Sequence, residues 1–282
     1  MLRIKYIQEI YLEGINYMGT KVDKLSISIV AYNNYEDIKK CLNTMKEYTE
    51  KKLLKKIYII DNGVSVSNEQ ERKDFLIFLN NISCAEYIDA KENLGFGKAH
   101  NLILNSICSE YHAIVNPDII FFEDAFSKIV NWMDENKEVG MVIPNIVDDK
   151  MTRQHVYREE LTIFDMFIRM FCKGLFKNRQ EKHTMQDKDY SRPFQVPFGQ
   201  GSFLVIRTEL FKKLNGFDDR YFMYLEDADL CKRLNQISCL MYYPGANVMH
   251  KWEKGSHKNR KLFTYHLNSM GYYFKKWGYK FF

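Results

Sequence analysis

Five carboxylates fall within twelve positions of residues 216–233, GFDDRYFMYLEDADLCKR: Asp218, Asp219, Glu226, Asp227 and Asp229, with Phe217, Tyr221, Phe222 and Tyr224 set among them. Carboxylates at this density can take a proton from a nucleophile, hold a cation or hold polar groups of a substrate. Leu230 and Leu234 follow at i, i+4 spacing, which predicts a helix from about Leu225 with Glu226, Asp227 and Asp229 in its first turn. Acids at a helix start also stabilise it by about 0.3–1 kcal/mol each, so the cluster has a structural explanation beside the chemical one. Three apolar runs end in polar turns: Ala31-Tyr32-Asn33-Asn34, Asp61-Asn62-Gly63 and Asn116-Pro117-Asp118. These are ordinary turn residues, but polar strand ends that converge on one sheet edge would make a ligand crevice.

The elements that must position these residues are read from periodicity. LSISIV (25–30), KIYII (56–60), AEYID (85–89), YHAIV (111–115) and GMVIP (140–144) are predicted strands. Between them, apolar residues at helical spacing mark helices: Ile38, Cys41, Leu42 and Met45; Phe75, Leu76, Phe78 and Leu79; Ala99, Leu102, Ile103 and Ile107; Phe126, Ile129, Val130 and Met133. Strands alternating with helices mean an α/β class, with a mostly parallel sheet covered on both faces in a single Rossmann-like domain. Residues 1–23 lack a clear period and read as an N-terminal extension. After Pro144 comes a polar stretch, the apolar run LTIFDMFIRMFCKGLF (161–176), a charged run to Arg192, a strand at 202–207 and a short helix at 208–214. The apolar run puts Ile163, Phe164, Phe167, Ile168 and Phe171 on one helical stripe, with Arg169 and Lys173 away from its centre. Such a stripe packs on the core or forms a lip touching lipid or a lipid-linked acceptor.

At 282 residues, 46% hydrophobic and 27% charged, the chain has the balance of a globular protein. Six cysteines are scattered without a CxxC pair, which suggests neither a zinc cluster nor a disulfide framework. No run of eighteen uncharged apolar residues occurs and the opening is not of signal-peptide type, so a cytoplasmic protein is expected. The net charge of +5 sits at the end: residues 251–282 hold eight Lys/Arg and one Glu, net +7, and the rest sums to about −2. Within 262–282, aromatics alternate with Lys275, Lys276 and Lys280. That composition suits a peripheral contact with an anionic membrane at its inner face, aromatics packed on the domain, or a homodimer contact. No nucleic-acid motif accompanies the charge, and no nucleic-acid partner is expected.

The ordered series SIVAYNN, IIDNG, ENLGFGKAHN, VNPDI, GQGSFLVIRTELFKKLNGFDDRYFMYLEDADLCKRL and YPGANVMH resembles the family 2 glycosyltransferases of the GT-A fold, in particular the bacterial rhamnosyltransferase-like members that build surface polysaccharides. The resemblance covers about residues 24–252 and implies a nucleotide-binding half (24–144) and an acceptor-binding half (145–252), followed by a basic aromatic helical tail (253–282). It implies inverting transfer from a nucleotide sugar, dTDP-rhamnose first and UDP-hexose or UDP-galactofuranose as the alternative, to a saccharide or lipid-linked acceptor. A relative that binds nucleotide sugar without turnover is the non-enzyme alternative. By the family pattern Ala31, Tyr32 and Asn33 line the base and ribose, Asp61 accepts from the base, and Asn93, Gly95 and Gly97 shape the next turn. The family's Asp-X-Asp triplet holds Mn2+ or Mg2+ on the diphosphate. Here it is Asn116-Pro117-Asp118, leaving Asp118 as the full carboxylate ligand, with His250 matching the histidine that closes the metal site. Asp227 takes the role of base, kept ionised by the helix start, with Glu226 and Asp229 holding the acceptor or the loop. Gly95 and Gly97 are not a dinucleotide fingerprint, because position 100 is His. A processive synthase is disfavoured by the lack of spans and of a Gln/Arg-X-X-Arg-Trp signature.

Overall fold

The computed structural model describes residues 24–63, 69–172, 174–251 and 260–282. The expected N-terminal extension (1–23), Lys173 and residues 253–259 of the tail lie outside the described residues.

Strand β1 (Leu25–Ala31) is buried along its whole length because it pairs on both sides, in parallel with β2 (Leu54–Asp61) and β4 (Tyr111–Val115). Strand β3 (Ala85–Asp89) adds in parallel beyond β2. Helices α1 (Tyr35–Tyr48), α2 (Glu69–Leu79), α3 (Phe96–Asn101) and α4 (Ala125–Glu135) provide the connections. Each packs an apolar face; in α1 it comprises Tyr35, Ile38, Cys41, Leu42 and Met45. The sheet continues through β5 (Ile119–Ile120), β6 (Val139–Val147), β8 (Phe194–Gln195), β10 (Phe203–Arg207) and β11 (Cys239–His250). Its order is β3-β2-β1-β4-β10-β6-β11-β5, with β8 also on β11. The sheet is mostly parallel, as expected, and β10 runs antiparallel between β4 and β6. The apolar sequence Phe203–Ile206 suits that central place, buried on both faces. A small second sheet pairs β7 (Tyr157–Arg158) with β9 (Phe198–Gly199).

The expected stripe on the 161–176 run divides in the structure. Helix α5 (Ile163–Phe171) is capped by Thr162, whose hydroxyl accepts from Asp165 N (3.1 Å). Met166 and Ile168 are buried, whereas Phe167 is 48% exposed. Helices α6 (Lys177–His183), α7 (Thr208–Lys213) and α8 (Glu226–Leu234) follow.

Of the readings open for the tail, packing on the domain describes helix α9 (Arg260–Trp277). Tyr272 meets Tyr221 with ring centroids 4.8 Å apart, Tyr265 meets Phe222 at 4.5 Å, and Ser269 donates to the Met223 carbonyl (2.8 Å). Beyond α9 the carbonyls of Lys280 and Phe281 accept from Ile163 N (2.9 Å) and Phe164 N (3.2 Å), satisfying N–H groups at the start of α5. Tyr279, Phe281 and Phe282 stay exposed. Among the described residues no helix is long and apolar enough to cross a membrane.

Arg207, at the end of β10, is a buried guanidinium spent on the backbone. It donates to Val139 O (2.9 Å), Met133 O (2.6 Å) and Asn136 O (3.3 Å), and to the Tyr111 hydroxyl (3.1 Å). It therefore ties the C-terminal end of α4 to the sheet, where a cation complements the helix dipole. Arg207→Met is expected to lower unfolding free energy in urea by roughly 2–4 kcal/mol, because buried carbonyls lose their donors. Arg207→Lys should recover part of that loss, since an ammonium lacks the planar fork.

Candidate active site

The acid-rich loop is docked on α3 before it reaches α8. Asn101 donates to Phe217 O (2.8 Å) and to Asp219 Oδ1 (2.6 Å), and accepts from Phe217 N (2.9 Å). Phe96 N donates to Phe222 O (3.2 Å). Gly95 and Gly97, expected to shape the nucleotide turn, are what let this loop approach. A Cβ on Gly95 would lie 1.9 Å from Phe222 O, and one on Gly97 would lie 2.8 Å from Phe217 Cβ. The loop ends in two left-handed residues, Tyr224 (φ 71°) and Leu225 (φ 65°), a sparsely populated conformation for such side chains.

Asp227 then emerges in the first turn of α8. Its Oδ2 accepts from Gly201 N (2.9 Å) and its Oδ1 from Ala228 N (2.8 Å). The neighbouring Glu226 is buried, and its Oε2 has no hydrogen-bond partner among the described residues. Burial, and after it the Asp227 charge, pushes Glu226 well above the usual carboxylate range. Burial also raises Asp227, against the pull of the Gly201 and Ala228 N–H groups and the Arg169 charge. The helix start is therefore not the deciding influence on Asp227: desolvation outweighs it and makes the group a stronger proton acceptor once ionised.

Asp118 and His250 meet through the β5–β11 ladder, which pairs His250 with Ile119. His250 Nε2 lies 3.3 Å from Asp118 Oδ2. Gln154 donates to His250 O (2.7 Å), which turns its Oε1 toward His250 Nδ1 (3.3 Å). An acceptor at Nδ1 selects the Nδ1–H tautomer and leaves the Nε2 lone pair facing Asp118. Two such donor atoms can hold a cation between them, and adjacent ligands of an octahedral cation at about 2.1 Å lie about 3 Å apart. The pair fits a divalent metal that takes its other ligands from substrate and water; no cluster of three or more His, Cys, Asp or Glu occurs among the described residues. Asn116 ends β4 nearby, its N–H donating to Ser202 O (2.8 Å).

At the nucleotide edge, Ala31 pairs with Asp61 in the β1–β2 register and its carbonyl accepts from Asn62 N (2.8 Å). Tyr32 is 56% exposed, and Asn33 takes the left-handed turn (φ 58°). Asn62 and Asn93 lock the next two turns: Asn62 donates to Asn93 Oδ1 (3.0 Å) and accepts from Leu94 N (2.8 Å). Asp61 corrects the expectation of a group facing the base. It is fully buried, Oδ2 takes the hydroxyls of Tyr35 (2.8 Å) and Tyr87 and lies 3.3 Å from Arg72 Nε, and Oδ1 takes Gly63 N (3.0 Å). It supports the edge from within.

Asp229, expected to hold the acceptor or the loop, is likewise fully buried. Arg233 Nε binds Oδ2 (2.7 Å), while Lys276 Nζ (2.5 Å) and Trp277 Nε1 (2.9 Å) bind Oδ1. A carboxylate so enclosed, fully buried and holding three donors, fastens α9 to α8. Sequence reasoning missed Asn62, Asn101, Gly201, Lys276 and Trp277 as parts of the site; Asn62 carried only a turn signal. Asp229→Asn is expected to lower stability by about 3–5 kcal/mol, because Lys276 and Arg233 lose their buried counter-ion. An acceptor-binding residue would instead leave urea unfolding within about 0.5 kcal/mol of the wild type.

The family described as glycosyl transferase family 2 matches residues 26–215 of this chain. The rhamnosyltransferase WbbL of Escherichia coli (strain K12) is 29% identical over 255 residues, covering 86% of this chain and 89% of that protein. An N-acetylglucosaminyl-diphospho-decaprenol L-rhamnosyltransferase of Mycobacterium tuberculosis is 24% identical over 242 residues, covering 81% of this chain and 76% of its own. Among solved structures, the mannosyltransferase PcManGT from Pyrobaculum calidifontis, in complex with GDP-Man and Mn2+, superposes with a TM-score of 0.62 at 14% identity, covering 95% of this chain and 71% of that one. GalNAc-T7, with UDP, GalNAc and Mn2+, gives 0.60 at 15% identity over 84% of this chain and less than half, 44%, of its own. With a sheet, a strand order and a motif series that all agree, the chain belongs to glycosyl transferase family 2 and is a glycosyltransferase of the GT-A fold.

Proposed function

We propose that this glycosyltransferase moves rhamnose from dTDP-rhamnose to a saccharide or lipid-linked acceptor in bacterial surface polysaccharide synthesis, at the cytoplasmic face of the membrane. The observation that carries the transfer chemistry is Asp227 on α8, held by the N–H groups of Gly201 and Ala228, in a fold that separately pairs Asp118 with His250. The choice of sugar is supported by likeness to two rhamnosyltransferases along most of the chain.

In this reading the acceptor hydroxyl gives its proton to Asp227 as its oxygen bonds to the anomeric carbon. The bond from that carbon to the diphosphate breaks in the same step, so the centre inverts. A divalent cation, Mn2+ in preference to Mg2+ because one ligand is imidazole, would be held by Asp118 and His250 and offset the charge left on the diphosphate. Asn116 lends a neutral amide beside Asp118. The exposed Tyr32 ring offers the base a stacking face, with Ala31 and Asn33 at the ribose; Asp61, Asn93, Gly95 and Gly97 hold the turns beneath. Glu226 sits beside the base, its carboxyl pushed by burial well above the usual carboxylate range.

A thermal-shift series with dTDP, UDP and GDP, each with and without Mn2+, tests the donor. At about 100 times its dissociation constant dTDP with Mn2+ should add roughly 2.7 kcal/mol, a shift of several degrees. A response to UDP alone would move the donor to UDP-hexose or UDP-galactofuranose, and silence from all three would favour a non-catalytic relative. Asp227→Asn should keep the nucleotide shift and lose transfer by roughly 10²–10⁴-fold. Because the Asp227 carboxyl lies above its ordinary value of 3.8 and must be ionised to act, kcat/KM should fall as pH drops through that raised pKa and level off above it.

A further inference from the structure

Arg158 and Arg169, in the 145–195 region, form no ion pair among the described residues, and the charge of Asp227 acts on both. Arg158 ends β7, aligned with Phe198 of β9; from there the chain runs to Gly201, the donor to Asp227, and Gln200 N donates to Val156 O (3.1 Å). One nitrogen of Arg158 donates to the carbonyls of His155 and Tyr157, leaving Nε and Nη2 without a partner among the described residues. Arg169 lies one turn beyond Asp165 on α5, so the two share a face. The ends of α6 and β7 meet that face: Glu159 N donates to His183 O (2.9 Å), and His183 Nδ1 lies 3.7 Å from Asp165 Oδ2.

The acids that could neutralise these arginines are engaged elsewhere. Asp165 is held by Arg179 (2.6 and 3.2 Å) and by Thr162 (2.6 Å). Glu159 faces Lys188 (3.7 Å), and Glu160 faces Lys280 (2.9 Å) and Lys232 (3.4 Å). Asp227 is the carboxylate whose charge reaches both guanidiniums, and one negative charge stands against two positive ones. Burial, then the charge of Arg169, pushes Arg158 down to about 9, and burial also lowers Arg169. Two half-buried like charges are costly without an anion to join them, and the guanidinium fork matches phosphoryl oxygens two at a time.

We propose that Arg158 and Arg169 bind the phosphoryl oxygens of an anionic acceptor, a saccharide joined to its carrier through a diphosphate, and so set the acceptor hydroxyl against Asp227. This rests on the reading of Asp227 as the base. The donor diphosphate has its own place at Asp118 and His250 on the β5–β11 ladder, whereas both arginines act on Asp227.

The test uses geranyl diphosphate as probe, titrated calorimetrically into enzyme already saturated with dTDP, with geraniol as the uncharged control. Wild type should bind the diphosphate and not the alcohol. Arg169→Gln and Arg158→Gln should each weaken it about 10–100-fold while dTDP affinity stays unchanged. Arg158 also bonds to carbonyls, so Arg169→Gln with an unchanged unfolding midpoint is the deciding variant, and Arg169→Lys should recover part of the affinity. The proposal is overturned if the diphosphate does not bind, if it binds the variants as tightly as wild type, or if the variants weaken dTDP instead, which would assign the arginines to the donor. Should dTDP fail to bind and UDP bind, the donor reading falls, and the same titration is decided with UDP in its place.

Discussion

The buried carboxylate of Asp229 is the interaction on which the geometry of the site depends. It lies one turn after Glu226 and within two residues of Asp227, and it meets Arg233 on its own helix and Lys276 and Trp277 on α9. Desolvating an anion is costly, and only several donors arranged at once can offset it. Once they are arranged, α8 cannot rotate or slide without stranding a charge. Lys276 also reaches Asp218 (2.8 Å), and Arg233 spends its other nitrogens on Leu214 O (2.8 Å) and Gly216 O (2.9 Å). Both ends of the acid loop are thereby tied to one network. The final helix is part of the network that orients Asp227.

Beneath the site runs a second polar chain, and its members are neutral. Ser109, Ser26, His112, Ser28 and His100 are linked by hydrogen bonds of 2.6 to 2.9 Å across β1, β4 and α3. Burial pushes both imidazoles down to about 3, so they act as rigid donors and acceptors. His100 then packs against Phe96 and Phe217, with centroids 4.6 and 5.9 Å away. The parallel sheet and the acid loop are registered to each other through this stack.

In the proposed reading, charge is divided so as to suit transfer between two anions. Asp118 and His250 would form one pole and hold the cation. Arg158 and Arg169 would form another, under the charge of Asp227, next to which burial pushes the Glu226 carboxyl well above the usual carboxylate range. A base next to guanidiniums would ordinarily lose proton affinity, but desolvation more than offsets that for Asp227.

Local chemistry in the sequence determined the α/β class, the strands of the first half, the polar strand ends and the motif order that carries Asp118, Asp227 and His250. Periodicity and turn preference act over a few residues and are written in the order of residue types. The tertiary structure alone decided that Asp61 and Asp229 face inward, that Gly95 and Gly97 admit the acid loop, and that α9 is a clamp. It also decided that β10 runs antiparallel and that Arg158 and Arg169 form no ion pair among the described residues. What a charged side chain does depends on which opposite charge it meets and how much water it keeps. Asp229 and Lys276 are 47 residues apart, Asn101 and Asp219 are 118 apart, and no local pattern encodes such meetings.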